Sequence, residues 1–382
     1  MKAVSAKTVN RICDYNIFTD KQTGREGLQM KETRMLQVAV IGCGYFGTNH
    51  ARIYEKLPNA QLMAVCDRNR TMADELAALI NCGRAEGEEH CKAFYDAGEM
   101  LAELKDTLDA CSVAVSEHYH YDAARPVIEA GKALLIEKPI AQDGAVADRI
   151  MALAEKHGTR MMVGQVLKFD PKYQIMAQKI ENGDFGEVTN MYLERSSTNG
   201  VPRRLCGAVS MYHYMGVHDF EAMLTFAGNA RPVKVYAQAV DKVNGAFNGD
   251  RAVNEGDATF NTVTFDNGAI AVVHLFWAHA SESLGFVARA HVFGTKATGY
   301  IDIKNPGLEF YGENSPVEYP ELTYWPEFNG EIQGALKAEL LHFCEATLSG
   351  SPYIVSNERA VLAVKVIDAC RESLKTGMPV ML

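Results

Sequence analysis

The chain has 382 residues, is 47% hydrophobic and 23% charged, and carries a formal net charge of −10. That length supports two domains with substantial cores, and the composition is that of soluble globular material. The acidic balance argues against a general nucleic-acid or anionic-membrane surface, so neither partner is expected. Nine cysteines show no regular spacing and no C-x-x-C pair. Buried free thiols in a reducing compartment are therefore expected, and no structural metal. No apolar run reaches membrane-spanning length, and no charged-then-apolar leader opens the chain, so a cytoplasmic location is expected.

Residues 1–35 read as an extension. They are polar and mixed, with a turn at Asp20 to Gly24, while Ile12, Tyr15, Ile17 and Phe18 favour an ordered arm. The first strong pattern follows at once. An apolar run from Val38 to Ile41 leads into Gly42-Cys43-Gly44-Tyr45-Phe46-Gly47. A helical pattern through Ala51, Tyr54 and Leu57 comes next, then an apolar run from Leu62 to Val65, then Asp67. Strand, glycine turn, helix, strand and acid in that order form a dinucleotide-binding fingerprint. Gly42 permits the tight turn, Gly44 lets backbone approach a pyrophosphate, and Gly47 lets the helix pack close to the strands. The helix N-terminus offers free N–H groups to the phosphates, with Tyr45 and Phe46 beside them. Asp67 can accept hydrogen bonds from ribose hydroxyls and repels a 2′-phosphate, which favours NAD. Arg68 next to it leaves NADP open.

From 36 to 164 the chain alternates strands and helices. Strands are predicted near 37–41, 61–66, 92–95, 111–115, 133–137 and 160–163, with helices between them. Such alternation implies an α/β domain with a parallel sheet covered on both faces. After 165 the strands lengthen and alternate, as in Val188 to Arg195 and Val233 to Val240. Asp266-Asn267-Gly268 reads as a hairpin turn between two more. Helices are predicted near 172–182, 209–227, 331–349 and 357–376, the last two ended by Gly350 and Gly377. Residues 165–382 are thus expected to form an α+β domain with an open-faced, mainly antiparallel sheet. An open sheet needs a cover, which predicts a homodimer or homotetramer.

A second informative stretch is Ala133-Leu134-Leu135-Ile136-Glu137-Lys138-Pro139. It is a buried strand that ends abruptly in an acid and a lysine. Ligands of open α/β sheets bind beyond the carboxyl ends of the strands, where Glu137 and Lys138 should emerge. Pro139 stops the strand and admits a cis bond.

On these residues the sequence resembles the glucose-fructose oxidoreductase, inositol dehydrogenase and rhizopine-catabolism family (Gfo/Idh/MocA). The resemblance runs from Val38 nearly to Leu382. It rests on the glycine fingerprint, Glu137-Lys138-Pro139, His120, Val217-His218-Asp219 and the closing Gly377-Met378-Pro379-Val380. It implies a Rossmann domain at 36–164, a substrate-binding and oligomerisation domain at 165–382, and oxidation of a sugar, cyclitol or sugar-derivative hydroxyl with NAD or NADP. Lys138 matches the family's active-site lysine and His218 its catalytic histidine. Glu137, Ser116, His120 and Gln165 are implied near the cofactor, and Lys168 in the crevice. The chemistry of the residues agrees. A base must take the alcohol proton, which suits histidine, and an ammonium can stabilise developing negative charge on oxygen. His218 is expected to be the base and Lys138 its electrostatic partner, with the reverse assignment open.

One departure stands out. The family often carries an aspartate one helical turn before the histidine, where this chain has Tyr214. Its hydroxyl can bond a substrate oxygen but brings no negative charge. Arg203 and Arg204 could receive an anionic group. Two alternatives remain from sequence: an enzyme that retains NAD and uses transient oxidation for elimination or hydrolysis, and a non-catalytic sensor of sugar or redox state.

Overall fold

The computed structural model describes residues 34–85, 87, 89–205, 208–245, 255–280, 285–303, 308 and 320–382. The arm expected within residues 1–35 lies, apart from its last two positions, outside these. Leu36–Leu382 is one compact unit.

Its first sheet holds β1 (Leu36–Ile41), β2 (Ala60–Cys66), β3 (Lys92–Phe94), β4 (Ala110–Val113), β5 (Ala133–Glu137) and β6 (Met161–Gly164). All are parallel, in spatial order β3-β2-β1-β4-β5-β6. The strand cores are almost wholly buried, as their continuous apolar runs require of a sheet covered on both faces. Between the strands run α1 (Tyr45–Tyr54), α2 (Arg70–Cys82), α3 (Ala97–Glu103), α4 (His120–Glu129) and α5 (Gly144–His157). Capping is written locally. Asn69, Asp96 and Asp143 each precede a helix and accept a hydrogen bond from its first turn, replacing bonds those amides cannot make within the helix. The strand order reverses between β1 and β4, which opens a crevice beyond their carboxyl ends.

The chain then passes through α6 (Pro171–Glu181) into β7 (Val188–Thr198), α7 (Gly200–Leu205), a π-helical turn at Tyr212–Gly216, and α8 (Val217–Phe226). The helix expected over 209–227 is therefore two pieces. At Gly216 a Cβ would stand 2.5 Å from Leu275 Cδ1, so this turn presses against the sheet and a side chain there would have to push that of Leu275 aside. The second sheet adds β8 (Pro232–Val240), β9 (Ala258–Phe265), β10 (Ile270–His279), β11 (Val287–Gly294) and β12 (Thr298–Asp302). Its order is β12-β11-β7-β10-β9-β8-β15, where β15 is Val380–Met381. It is antiparallel except between β7 and β10. The expected Asp266–Gly268 turn joins β9 and β10, with Gly268 at φ +85°.

Near 331 strand replaces the expected helix. β13 (Glu327–Phe328) and β14 (Glu331–Ile332) form a hairpin across Asn329-Gly330, both at positive φ, and α9 (Gly334–Ser349) starts only afterwards. Helix α9 does not stay with the second sheet. Leu336, Leu340 and Phe343 pack with Val38, Val40 and Leu135 of the first. The last helix, α10 (Asn357–Thr376), serves both. Val361 and Val364 join the core of the first sheet, Val366 and Ile367 that of the second. One face of the second sheet is covered by α8 and α10. The other presents Phe260, His274, Phe276, His291 and Tyr300.

Cys66, Cys111, Cys344 and Cys370 are buried free thiols. Burial pushes those of Cys66 and Cys344 up to about 12, which leaves them unreactive at neutral pH. Among the described residues no helix is long and apolar enough to cross a membrane.

Candidate active site

The glycine turn carries steric demands that only glycine meets. Gly42 has φ +98°, and a Cβ there would lie 2.6 Å from Ala114 O. A Cβ on Gly47 would sit 1.7 Å from Gly42 O. At Gly44 it would meet nothing within 4 Å, so backbone is open to a ligand there. Gly44 begins α1 without a side-chain cap, which leaves the first-turn amides at Tyr45, Phe46 and Gly47 for an acceptor. Asp67 Oδ2 accepts from Cys43 N at 2.8 Å and Oδ1 from Asn69 N at 2.8 Å. The acid thus braces the turn and keeps lone pairs for ribose hydroxyls. Arg68 is exposed, its guanidinium 5.8 Å from the Tyr119 ring, and Ser116 is exposed just past β4. An open turn, uncapped amides and an acid at the tip of β2 fit NAD.

Beyond β5 a buried polar chain holds Glu137. Its Oε1 lies 3.1 Å from His50 Nε2, and His50 Nδ1 is 2.7 Å from Ser112 Oγ. Burial works to raise the Glu137 pKa, but His50 and then Lys138 outweigh it and hold it below the usual carboxylate value. Lys138 Nζ donates to Tyr214 O at 3.2 Å. Its pKa is lowered by burial, opposed by Glu137 and reinforced by Arg195. The Lys138-Pro139 bond is cis.

The second wall comes from β7, the π turn and α8. Lys138, His218, Tyr214 and Arg195 line one cavity of about 840 Å³, with Tyr45, Phe46 and Glu137 on its other side. Nothing among the described residues hydrogen-bonds the buried His218 Nδ1. Burial, then Lys138, then Arg195 hold His218 well below its ordinary pKa, so the ring is neutral at pH 7. Arg195 is itself buried, and Asp219 accepts from its Nε at 2.6 Å and its Nη2 at 3.3 Å. Tyr214 OH accepts from Arg204 Nη2 at 3.4 Å.

Four expectations need correction. Lys168 does not face the cavity. Its Nζ lies 3.2 Å from the buried Glu221 carboxylate and donates to Thr225, because the turn at Val166–Phe169 aims it at α8. Arg204, not Arg203, lines the cavity. One residue on a helix is about 100° of rotation, enough to exchange the two. His120 is buried between Ile140 O and Val115 O, at 3.2 and 3.0 Å, where it ties the strand-end loops together away from the cavity. Gln165 is 1% exposed, and neither side-chain atom has a partner among the described residues. Its neighbours Gly164 and Val166 line the cavity, and the Gln165 side chain is not among the lining.

Three buried residues beside the cavity carried no functional reading in the sequence. Arg195 has a signal: it shares the inward parity of Met191 and Leu193 on β7, a charge where a core residue belongs. Glu339 is similar, buried on α9 between Leu336 and Leu340 with both oxygens unpartnered among the described residues. Burial, then Glu137, raise its pKa well above the usual value, which favours the protonated form. His50 has no such signal, since a histidine on a helix is unremarkable until its neighbours are known.

Comparison with known proteins identifies the family. Residues 36–165 match the model of an oxidoreductase family with an NAD-binding Rossmann fold, and residues 177–382 that family's C-terminal α/β domain. An uncharacterized oxidoreductase, YrbE, of Bacillus subtilis is 24% identical, covering 91% of this chain and 97% of its own. The scyllo-inositol 2-dehydrogenase (NAD(+)) of the same organism is 23% identical, covering 91% and 96%. The solved structure of scyllo-inositol dehydrogenase from Lactobacillus casei, with bound NAD(H) and scyllo-inositol, superposes with a TM-score of 0.76. It is 17% identical and covers 91% of this chain and 99% of its own. The chain belongs to the Gfo/Idh/MocA oxidoreductase family, whose N-terminal domain binds NAD.

Proposed function

We propose that the protein oxidises a secondary hydroxyl of a sugar, cyclitol or sugar derivative, with His218 as base and Lys138 as electrostatic partner. The observation that carries this reading is the convergence of Lys138, His218 and Tyr214 on one cavity beside the glycine turn. Bound NAD supplies the hydride acceptor. His218, neutral at pH 7, has a lone pair for the hydroxyl proton. Lys138 has one N–H on Tyr214 O, and its remaining donors can stabilise negative charge developing on the substrate oxygen. Glu137, held by His50, keeps the cation in place. Tyr214 OH, with Arg204, can orient a neighbouring hydroxyl.

The names of the relatives support the polyol or sugar substrate class. A screen of polyols, inositols, sugar acids and glycosides for NADH and NADPH formation tests the reading. Turnover that survives Lys138→Ala unchanged would falsify the assignment. The uncovered aromatic face of the second sheet supports a homodimer or homotetramer, which sedimentation equilibrium reads directly.

A further inference from the structure

The cavity supplies polar groups very unevenly. Lys138, Tyr214, Arg204 and His218 form one contiguous cluster: Lys138 bonds the Tyr214 carbonyl, Arg204 bonds its hydroxyl, and His218 lies a turn further on. The buried Tyr324 hydroxyl, which has no hydrogen-bond partner among the described residues, lies on the same side near Arg195 and Asp219, while the charged groups of the rest of the lining are committed. Glu137 lies against His50, and Arg195 gives Nε and Nη2 to Asp219. The Glu321 carboxylate accepts from the amides of Thr323, Tyr324 and Trp325 at 2.6, 2.6 and 2.8 Å. The lining contributed by Leu205, Phe286, Ile303, Pro320 and Leu322 has no polar side-chain atom. Aromatic faces add to it. The Phe286 ring lies 6.2 Å from that of Tyr214, and the Trp325 ring 5.5 Å from that of Phe46.

A bare cyclitol carries a hydroxyl on every ring carbon. Each one placed against Leu205, Ile303 or Leu322 would lose its water without gaining a partner. The volume of about 840 Å³ also lies high in the range of about 300–1,000 Å³ typical of small-molecule sites, which leaves room beyond a nicotinamide and one sugar ring. A diphosphate is poorly served as well. Of the described cationic lining groups, Arg195 is neutralised by Asp219 and Lys138 stands beside Glu137, leaving Arg204.

We propose that the cavity takes a sugar carrying an uncharged, planar apolar substituent, an aryl glycoside in chemical class, with the sugar on the Lys138–His218 cluster and the substituent among Leu205, Phe286, Ile303 and Leu322. This rests on the dehydrogenase reading and narrows its substrate. The chemistry is unchanged: a sugar C–H is broken as hydride to NAD, the hydroxyl proton passes to His218, and the product is the keto-glycoside with its aglycone still attached.

The chain has two tryptophans. Trp277 is 1% exposed in the core and Trp325 lines the cavity, so intrinsic fluorescence reports occupancy. The full-length protein, saturated with NAD, is titrated with phenyl thioglycosides of glucose, galactose and xylose. NADH formation is then followed with the matching phenyl glycosides, the free sugars, myo-inositol and UDP-glucose. The expected result is a saturable emission change that Trp325→Phe abolishes, and a kcat/KM for one phenyl glycoside at least tenfold above its free sugar and the inositol. Phe286→Ser should cut that ratio severalfold. Equal or better turnover of free sugar or inositol overturns the inference and leaves the dehydrogenase reading intact, and preference for UDP-glucose overturns it in favour of a charged substituent. Thioglycoside binding with no NADH from any compound supports the occupant and sinks the dehydrogenase reading. The absence of both thioglycoside binding and any glycoside preference overturns the inference outright.

Discussion

The glycine-turn wall and the histidine wall of the cavity differ in how far apart their parts lie in sequence. At the first, Gly42, Gly44, Gly47 and Asp67 fall within one strand–helix–strand unit, and Asp67 hydrogen-bonds the turn it follows. At the second, Arg195, Tyr214, His218 and Tyr324 come from β7, the π turn, α8 and the stretch before β13. The electrostatics differ too. His50, behind the first wall, lies against the Glu137 carboxylate, whereas the charges that shift His218 are the two cations Lys138 and Arg195. The glycine turn is thus secured by local backbone constraints, and the charge state of the proposed base His218 by residues distant in the chain. Damage to the two walls should look different.

The largest effect should come where the walls meet. In the proposed mechanism Lys138→Ala removes the donor to the reacting oxygen, and it should lower kcat about a thousandfold while NAD affinity from equilibrium titration stays within a few-fold. Equal losses in kcat and NAD binding would merge the two walls into one unit. Next, Asp219→Asn strands the buried Arg195 guanidinium without its carboxylate. Urea unfolding should show a loss of about 3–5 kcal/mol. A loss under 1 kcal/mol would mean that water reaches the pair.

Asp67→Asn probes the first wall alone. The amide oxygen can still accept from Cys43 N, so the turn survives while the charge goes. The NADP-to-NAD affinity ratio should rise about tenfold by calorimetry, about 1.4 kcal/mol of lost discrimination. An unchanged ratio would shift the choice of cofactor to Arg68 or elsewhere.

The smallest effect is on pH. His218 and His120 are held below the 6.5 of an exposed imidazole, both chiefly by burial. The unfolded chain therefore binds more protons than the folded one in acid. Their contribution to stability is full above 6.5 and is lost as pH falls below it. Thermal midpoints should drop between pH 7 and 5, and His218→Asn should flatten that slope. If the slope is unchanged, neither wall depends on a neutral His218 for its stability.

Much of the fold was legible because its rules are local. Apolar runs between capping residues such as Asn69, Asp96 and Asp143 mark the Rossmann alternation, and Gly350 and Gly377 end their helices at positive φ. Lys168 and Arg203 misled because their resemblance and charge are visible in sequence while their directions are not. Arg195 could have been found from strand parity. His50 could not, since it lies on α1 while its partner Glu137 lies far along the chain at the end of β5.

The amino-acid sequence by itself determined a dinucleotide turn, a buried strand ending in Glu137 and Lys138, and a helix carrying His218. Each is fixed by residue spacing over less than about one supersecondary unit. Only the tertiary structure decided that His218 is neutral, that Arg204 rather than Arg203 meets Tyr214, and that α9 returns to the first sheet to place Glu339 and Leu336 beside the cavity. The physical reason is that charge state and side-chain direction depend on neighbours distant in the chain. Desolvation and Coulomb interaction act through space and leave no periodic mark on the sequence.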